Sequence, residues 1–277
     1  MSYRIDSSPT YRGHGAVQSV PDATIVLVGC GGTGSFLAEA LCRLLISRPA
    51  DVYLVDMDRV EPHNVGRQAF DLADVGRFKV QVLAEHLACR FERTVGYAVQ
   101  PYDAALHAHV FRTQTGRLRL LIGCVDKPYA RRAIAATLEG QSGAWWLDCG
   151  NGRNSGQVLL GNATRGELLR EAFDARKGLC RALPAPHLQR PDLLDAPPAP
   201  VPAPDCAEAV ALHEQGGTIN QVMAAIAAST IERLLDGTCT AMASYVDMDD
   251  GTLRAVHAEP KGVAHIVGMR QASLMLT

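Results

Sequence analysis

The feature that most constrains this chain is a cluster of four glycines within six residues, directly after a short apolar segment. The apolar residues 25–28 predict a buried strand, and helical spacing of apolar residues over 35–41 predicts a helix that begins at once. Glycines let backbone N–H groups approach an anion closely, and a helix N-terminus adds its positive dipole end. The sequence therefore predicts a phosphate-binding turn, here called the glycine turn (residues 29–34), with contacts from Gly29, Gly31, Gly32 and Gly34.

A second apolar strand, residues 52–55, ends in Asp56, about 20 residues beyond the glycine turn. This spacing fits the G-x-G-x-x-G dinucleotide pattern, in which an acidic residue accepts hydrogen bonds from a ribose. The alternative for Asp56 is a helix-capping role. The pattern alone leaves open a nicotinamide or flavin enzyme, an ATP-using enzyme and a methyltransferase-like site.

The polar residues that follow favour ATP. Asn64, Arg67, Gln68 and Lys79 come soon after Asp56. Hydride transfer does not build up phosphoryl charge, whereas attack on the α-phosphate of ATP does, and fixed cations and amide donors stabilise that charge. Asp126 follows a buried strand, residues 118–124, and would lie at the carboxyl edge of the sheet, where Mg²⁺ on the phosphates needs a carboxylate.

Alternating apolar strands and amphipathic helices predict an α/β fold, a Rossmann-like doubly wound and mostly parallel sheet with flanking helices. Residues 166–178 are predicted to be helical. Eight of the fifteen prolines lie between Leu183 and Pro204 and predict a Pro-rich crossover loop, and 241–248 with 252–258 predict a C-terminal β-hairpin. We expect an N-terminal arm (1–22), an ATP-binding adenylation core (23–180), the crossover loop (181–205) and C-terminal helices with the hairpin (206–277) in the same domain.

Composition excludes several classes of function. The net charge of −2, from 27 basic and 29 acidic residues, gives no strong positive field, which argues against a nucleic-acid partner. The sequence has neither a signal-peptide pattern nor a membrane-span pattern, so we expect a cytoplasmic protein. The eight cysteines include no C-x-x-C pair, so we expect free thiols and no zinc.

Taken together, the motifs of residues 20–237 resemble the ThiF/MoeB superfamily, which includes the ubiquitin-activating enzymes. Among the members of this superfamily, the motifs of the chain most resemble those of divergent bacterial proteins such as the ThiF-like protein of PRTRC gene clusters. The resemblance is carried by the following segments in order: the glycine turn, Asp56-Met57-Asp58, Asn64 with Arg67-Gln68, Lys79, Cys124-Val125-Asp126, and Pro204-Asp205-Cys206-Ala207-Glu208-Ala209.

The resemblance implies that the chain adenylates the C-terminal glycine carboxylate of a small ubiquitin-like or sulfur-carrier protein of the β-grasp fold. Asp56 and Asp58 would then bind the nucleotide, Asn64, Arg67, Gln68 and Lys79 the phosphates, and Asp126 the Mg²⁺. The family also implies a homodimer, in which an arginine from the neighbour's N-terminal arm, Arg12 or Arg4, completes the ATP site. A conjugating enzyme is a further expected partner.

By the same resemblance, Cys206 stands where many members form a thioester or persulfide with the activated carrier. A helix N-terminus after a loop lowers a thiol pKa, which agrees with that role. Two alternatives stay open. Cys206 could be a packing residue that takes no part in the chemistry, or the nucleophile could be Cys180, which lies beside Arg181. For the whole chain, a nicotinamide-dependent oxidoreductase and an inactive ATP-binding scaffold are the rival hypotheses.

Overall fold

The computed structural model describes residues 2–7, 23–111, 117–139, 143–195 and 216–276. Within these ranges no helix is both long enough and apolar enough to cross a membrane. The strands in the described ranges are β1 (Arg4–Ile5), β2 (Ala23–Val28), β3 (Ala50–Val55), β4 (Gly96–Ala98), β5 (Leu118–Gly123), β6 (Ala144–Asn151), β7 (Ser155–Gly161), β8 (Phe173–Asp174), β9 (Leu179–Cys180), β10 (Ala241–Asp247) and β11 (Thr252–His257). The α-helices are α1 (Gly32–Leu44), α2 (Lys79–Phe91), α3 (Ala104–Phe111), α4 (Pro128–Leu138), α5 (Pro186–Gln189), α6 (Gly217–Leu235), α7 (Pro260–Val267) and α8 (Gln271–Leu274).

Eight strands form the main sheet, in the order β11-β10-β7-β6-β5-β2-β3-β4. The five strands from β6 to β4 are parallel to one another, and β7, β10 and β11 continue the sheet in antiparallel fashion. The predicted α/β fold with a mostly parallel sheet is therefore confirmed. β2 lies between β3 and β5, so the chain reverses its direction of winding at the carboxyl end of β2, where ligands of such sheets bind.

Helices cover both faces of the parallel strands, because alternate residues of each strand point to opposite sides. Ile25 and Leu27 of β2 belong to the apolar core that also contains the buried residues of α1, α2 and α6. Val26 and Val28 point the other way, into the core formed with α3 and α4. Every residue of β2 is buried, as expected for the central strand of a doubly wound sheet.

The predicted helix over 166–178 is wrong. Residues 166–169 form a short 3-10 turn, after which β8 and β9 pair as antiparallel strands. β1 adds to β9 in parallel, which makes a separate three-stranded sheet. Phe173 is fully buried there and meets the ring of Tyr3 edge-on at 5.1 Å. The long-range packing of Phe173, rather than the helical spacing of nearby apolar residues, therefore determines the secondary structure of this segment.

The predicted C-terminal hairpin is confirmed as β10 and β11. The hairpin extends the main sheet, since β10 pairs with β7 from Ala243↔Leu159 to Asp247↔Ser155. Residues 181–195 of the predicted Pro-rich loop contain α5 and a 3-10 turn, each with proline at its first position. The rest of that loop lies outside the described residues.

Candidate functional site

A cleft of about 1110 Å³ opens at the carboxyl ends of the parallel strands. It is lined by residues from the ends of β2, β3, β5 and β6, and it brings together most of the predicted site residues. Those that line it are Gly29, Gly31, Gly32, Asp56, Asp58, Asn64, Arg67, Gln68, Lys79 and Asp126. Gly34 lies just behind this wall in α1, and Arg4 lies on β1 outside it. Arg12 and Cys206 lie outside the described residues.

The glycine turn is held against the neighbouring strand. Gly29 has a positive φ of 88°, and a Cβ there would lie 2.5 Å from the carbonyl oxygen of Cys124. A Cβ on Gly34 would overlap the carbonyl group of Gly29. At Gly31, in contrast, the only neighbour of such a Cβ in the described part of the chain is the Gln68 side chain, 3.8 Å away, so those residues leave this part of the turn open. The backbone of Gly31 is thus free to approach a ligand.

Asp56 is tied to the glycine turn by its own carboxylate. One oxygen accepts the Cys30 N–H at 2.6 Å, and the other accepts the Asp58 N–H at 2.8 Å. Each oxygen keeps a further lone pair for a ligand hydroxyl. Burial raises the pKa of Asp56, and these two hydrogen bonds and the charge of Lys79 act in the opposite direction. The helix-capping alternative is not what the structure shows, because Asp56 bonds to the glycine turn and to its own loop.

Lys79 supplies a buried cation at the first residue of α2. Its side chain is 9% exposed, and Nζ lies 3.4 Å from a carboxylate oxygen of Asp58, which is itself 64% exposed. The backbone also joins them, since the Lys79 N–H donates to the Asp58 carbonyl at 3.0 Å. One distant, hydrated counter-ion leaves much of the ammonium charge available to the cleft.

Asn64, Arg67 and Gln68 come from one short turn beside the cleft. The Asn64 carboxamide oxygen accepts the Glu61 N–H at 3.0 Å, which fixes the side chain and leaves its NH₂ group without a hydrogen-bond partner among the described residues. The Gln68 side chain is buried, and its Oε1 has no partner within those same ranges. The Arg67 guanidinium likewise has no ion pair in the described part of the chain. Buried or half-buried polar groups without partners are uncommon in folded proteins and mark places where a ligand can bond.

Asp126 projects from the loop after β5. Its side chain is 65% exposed and lies 3.4 Å from the ammonium of Lys127. The described ranges contain no group of three or more His, Cys, Asp or Glu side chains placed to hold a metal ion. Mg²⁺ commonly binds through one or two protein carboxylates and takes its other ligands from a substrate and water, and the exposed Asp126 carboxylate fits that pattern.

Two buried cysteines, Cys180 and Cys30, are poorly suited to nucleophilic chemistry. Cys180 is fully buried, and burial raises its pKa to about 12. Cys30, within the glycine turn, is also fully buried and has a pKa well above the usual value, chiefly for the same reason. Since the thiolate is the nucleophile, these thiols are inert near neutral pH. The burial of Cys180 argues against it as the nucleophile in place of Cys206.

Sequence reasoning missed a chain of side-chain hydrogen bonds along one wall of the cleft. The Thr33 hydroxyl donates to Asn151 at 3.1 Å, Asn151 Nδ2 donates to Asn220 Oδ1 at 3.1 Å, and Asn220 Nδ2 donates to the Arg67 carbonyl at 3.1 Å. Asn151 ends β6 and Asn220 lies in the first turn of α6. No motif links residues so far apart in sequence, so their meeting is visible only in the fold.

A buried ion pair was also missed. The Arg131 Nε lies 3.2 Å from both carboxylate oxygens of Asp148, and Asp148 is fully buried. Burial raises the pKa of Asp148 despite the attraction of Arg131. Arg131 also lines the cleft from α4, so this pair fixes a charged part of the cleft wall.

The chain is similar in sequence to a known protein family and to several curated proteins. The model of the ThiF family matches residues 8–261. Ubiquitin-like modifier-activating enzyme 5 of Gallus gallus is 33% identical over 149 residues, which is 50% of this chain and 36% of that protein. The tRNA threonylcarbamoyladenosine dehydratase of Escherichia coli K12 is 45% identical over 76 residues, 27% of each chain. This chain therefore aligns with only about a third of the length of such curated relatives.

Solved structures show the same fold at lower identity. PaaA is 17% identical with a TM-score of 0.56, covering 85% of this chain and 64% of that one. E. coli MccB with ATP is 15% identical with a TM-score of 0.54, covering 85% and 63%. MccB in complex with N-formylated MccA, described as a microcin C7 biosynthetic enzyme, is 17% identical with a TM-score of 0.57, covering 85% and 64%. At these identities the likeness shows the fold alone.

Proposed function

This chain belongs to the ThiF family, and on that premise we propose that it adenylates the C-terminal glycine carboxylate of a small carrier protein with ATP. A carboxylate oxygen attacks the α-phosphorus and forms an O–P bond, the bond from that phosphorus to the bridging oxygen breaks, and pyrophosphate leaves. The observation that carries the proposal is the convergence on one cleft of the glycine turn, Asp56 and Arg67, whose guanidinium has no ion pair among the described residues. Phosphoryl chemistry needs this combination of positioning and positive charge.

The glycine turn and Asp56 bind the nucleotide in this proposal. The turn offers backbone N–H groups and the N-terminus of α1 to the phosphates, with closest approach at Gly31. Asp56 accepts hydrogen bonds from the ribose hydroxyls. Because its carboxylate also accepts the Cys30 N–H, the ribose and the phosphates are held at a fixed separation.

The reacting phosphate is stabilised by cations and amides. Arg67 and Lys79 offset the negative charge that builds up on the α-phosphate. The NH₂ group of Asn64, which has no hydrogen-bond partner in the described ranges, and the Nε2 of Gln68, which lies beside Gly31, donate hydrogen bonds to the phosphate oxygens. Such preorganised donors act on the transition state without a cost of reorganisation. Asp126 would hold Mg²⁺, which neutralises charge on the phosphates when it is bound. Its single exposed carboxylate fits a metal that shares its ligands with substrate and water.

The chemistry of the substrate is inferred from charge and from the relatives. The named relatives point to two substrate classes, a ubiquitin-like modifier and a tRNA, and MccB was solved with MccA. A net charge of −2 disfavours a tRNA partner. We therefore propose a small β-grasp protein as the carrier, a homodimer as the working assembly with Arg12 reaching the neighbouring site, and a conjugating enzyme as a further partner.

ATP use is tested by isotope exchange between labelled pyrophosphate and ATP, with purified β-grasp proteins that end in glycine as substrates and the same proteins lacking that glycine as controls. We expect exchange only with the intact carboxyl terminus. Arg67→Ala should lower the exchange rate by about 100-fold or more, as loss of one transition-state donor does elsewhere, and Asp126→Ala should lower it as well. Arg90→Ala is the matched control, because Arg90 is exposed on α2 and pairs with Glu39 away from the cleft.

The outcomes separate the rival functions. Full exchange activity in both Arg67→Ala and Asp126→Ala would show that the site is wrongly assigned. Binding of NAD without binding of ATP in calorimetric titrations would favour the oxidoreductase. Binding of ATP without exchange for any carrier in the panel would favour an inactive scaffold.

Cys206 is proposed to accept the activated carrier: its thiolate attacks the carbonyl carbon of the carrier adenylate and forms a thioester, while the bond from that carbon to the AMP oxygen breaks and AMP leaves. The expected product is a carrier adduct that a thiol reductant removes and that Cys206→Ala does not form. Cys89→Ala is the matched control, since Cys89 is an exposed thiol on α2. An adduct that persists in Cys206→Ala would show that another group carries it.

A further inference from the structure

Asn220 is fully buried and contacts three separate parts of the cleft wall. Its Nδ2 donates to the Arg67 carbonyl, and its Oδ1 accepts from Asn151. Its carboxamide also fills the space beside Gly32, where a Cβ would lie 2.6 Å from both Nδ2 and Oδ1. The two hydrogen bonds fix which end of the amide faces which neighbour, because the reversed amide would set oxygen against a carbonyl and nitrogen against an NH₂ group.

The first turn of α6 supports the same contact. A Cβ on Gly217 would lie 3.3 Å from the Gly66 carbonyl and 3.7 Å from the Cα of Arg67. The backbone of residues 66–67 therefore rests against the start of α6. Since the Arg67 guanidinium has no ion pair among the described residues, the position of this charge depends on its backbone, and Asn220 is the side chain that bonds to that backbone.

We infer that Asn220 is a positioning residue that sets the distance between the glycine turn and Arg67. This inference rests on the proposed function, in which these two elements hold the phosphates of one ATP molecule. In this inference Asn220 touches neither the nucleotide nor the reacting atoms and acts by holding Arg67 at its distance from Gly32. Small displacements of such groups weaken a site strongly, because phosphate contacts depend on distance and direction.

The inference is tested by a double-mutant cycle on the binding of ATP, measured by calorimetry with Mg·ATP. Asn220→Ala should weaken binding about tenfold, a typical size for coupled neighbours, and Arg67→Ala should weaken it as well. If Asn220 acts through Arg67, the double variant should bind ATP no more than about twofold more weakly than Arg67→Ala alone. A purely structural role would lower the folded fraction but would not make the two losses overlap.

The matched control is Thr230→Val. Thr230 is also buried in α6, and its hydroxyl donates to the Ile226 carbonyl at 2.9 Å, away from the cleft. This variant should lose stability while the folded protein keeps its affinity for ATP. Additive losses in the cycle, or unchanged affinity in Asn220→Ala, would overturn the positioning role and leave the adenylation proposal standing. Failure of the wild-type protein to bind Mg·ATP would instead refute the proposed function, and the inference with it.

Discussion

Replacement of Gly32 by alanine tests how tightly the cleft wall is packed. The added Cβ would lie 2.6 Å from the carboxamide of Asn220. A comfortable contact is about 3.5 Å, so Asn220 must move by about 0.9 Å. Its hydrogen bonds to Asn151 and to the Arg67 carbonyl, now 3.1 Å each, would lengthen to about 4 Å, beyond bonding distance. Gly32→Ala should therefore break both bonds.

The expected cost follows from these two broken bonds. Each buried polar group left without a partner costs about 1–3 kcal/mol, and replacing a helical glycine returns up to about 1 kcal/mol. We expect Gly32→Ala to lower the free energy of unfolding by about 3 kcal/mol, measured by urea denaturation. Gly262→Ala is the control, because Gly262 lies in α7 with nothing within 4 Å of its Cβ. That variant should be as stable as the wild type or slightly more so.

A second variant isolates the cause. Asn220→Ala removes the obstructing carboxamide, so the double variant Gly32→Ala with Asn220→Ala should lose at least about 1 kcal/mol less than the sum of the two single losses. Wild-type stability in Gly32→Ala, or strictly additive losses in the double variant, would refute the reasoning.

Three further predictions concern other parts of the described structure. Iodoacetamide at pH 8 should label exposed Cys89 quickly and leave Cys180 unmodified in the folded protein, because burial raises the pKa of Cys180 to about 12. Peptide mass spectrometry measures the labelling of each cysteine, and fast labelling of Cys180 would contradict its burial. His107 is buried, and burial lowers its pKa to about 4. Because the folded state disfavours protonation of His107, the free energy of unfolding should fall as the pH drops from about 6.5 towards 4. Urea titrations of His107→Gln should show a smaller fall over that range, and an equal fall would exclude His107 as its source. Asp148→Asn should lower the free energy of unfolding at pH 7 by about 3 kcal/mol, because the buried Arg131 loses its counter-charge. Replacing both residues with leucine should lower it by less than that single change, and a double variant less stable than Asp148→Asn would contradict this.

Local sequence patterns predicted the parallel core well. The predicted strand over 25–28 lies within β2, and the predicted helix over 35–41 lies within α1, which extends three residues further at each end. Glycine spacing likewise located the turn at which Gly29 adopts its positive φ. These features depend on neighbours in the sequence, so the sequence alone carries them.

Local sequence patterns did not predict the segments whose structure depends on contacts between residues far apart in the sequence. Leu168, Leu169 and Phe173 show helical spacing, yet Phe173 leaves the helix pattern because it pairs with Cys180 and packs on Tyr3. The predicted cleft residues each had a motif to mark them. Asn220 had none, because its partners lie 69 and 153 residues away in the sequence.

The small sheet that joins β1 to β9 has a consequence for how the chain folds. Ile5 is buried, but its strand partner Cys180 is synthesised 175 residues later, by the register Ile5↔Cys180. At a translation rate of about 5–20 residues per second, the N-terminal strand waits roughly 10–35 s for that partner. During this interval the parallel strands β2 to β6 emerge and can pair with one another, so β1 docks after them.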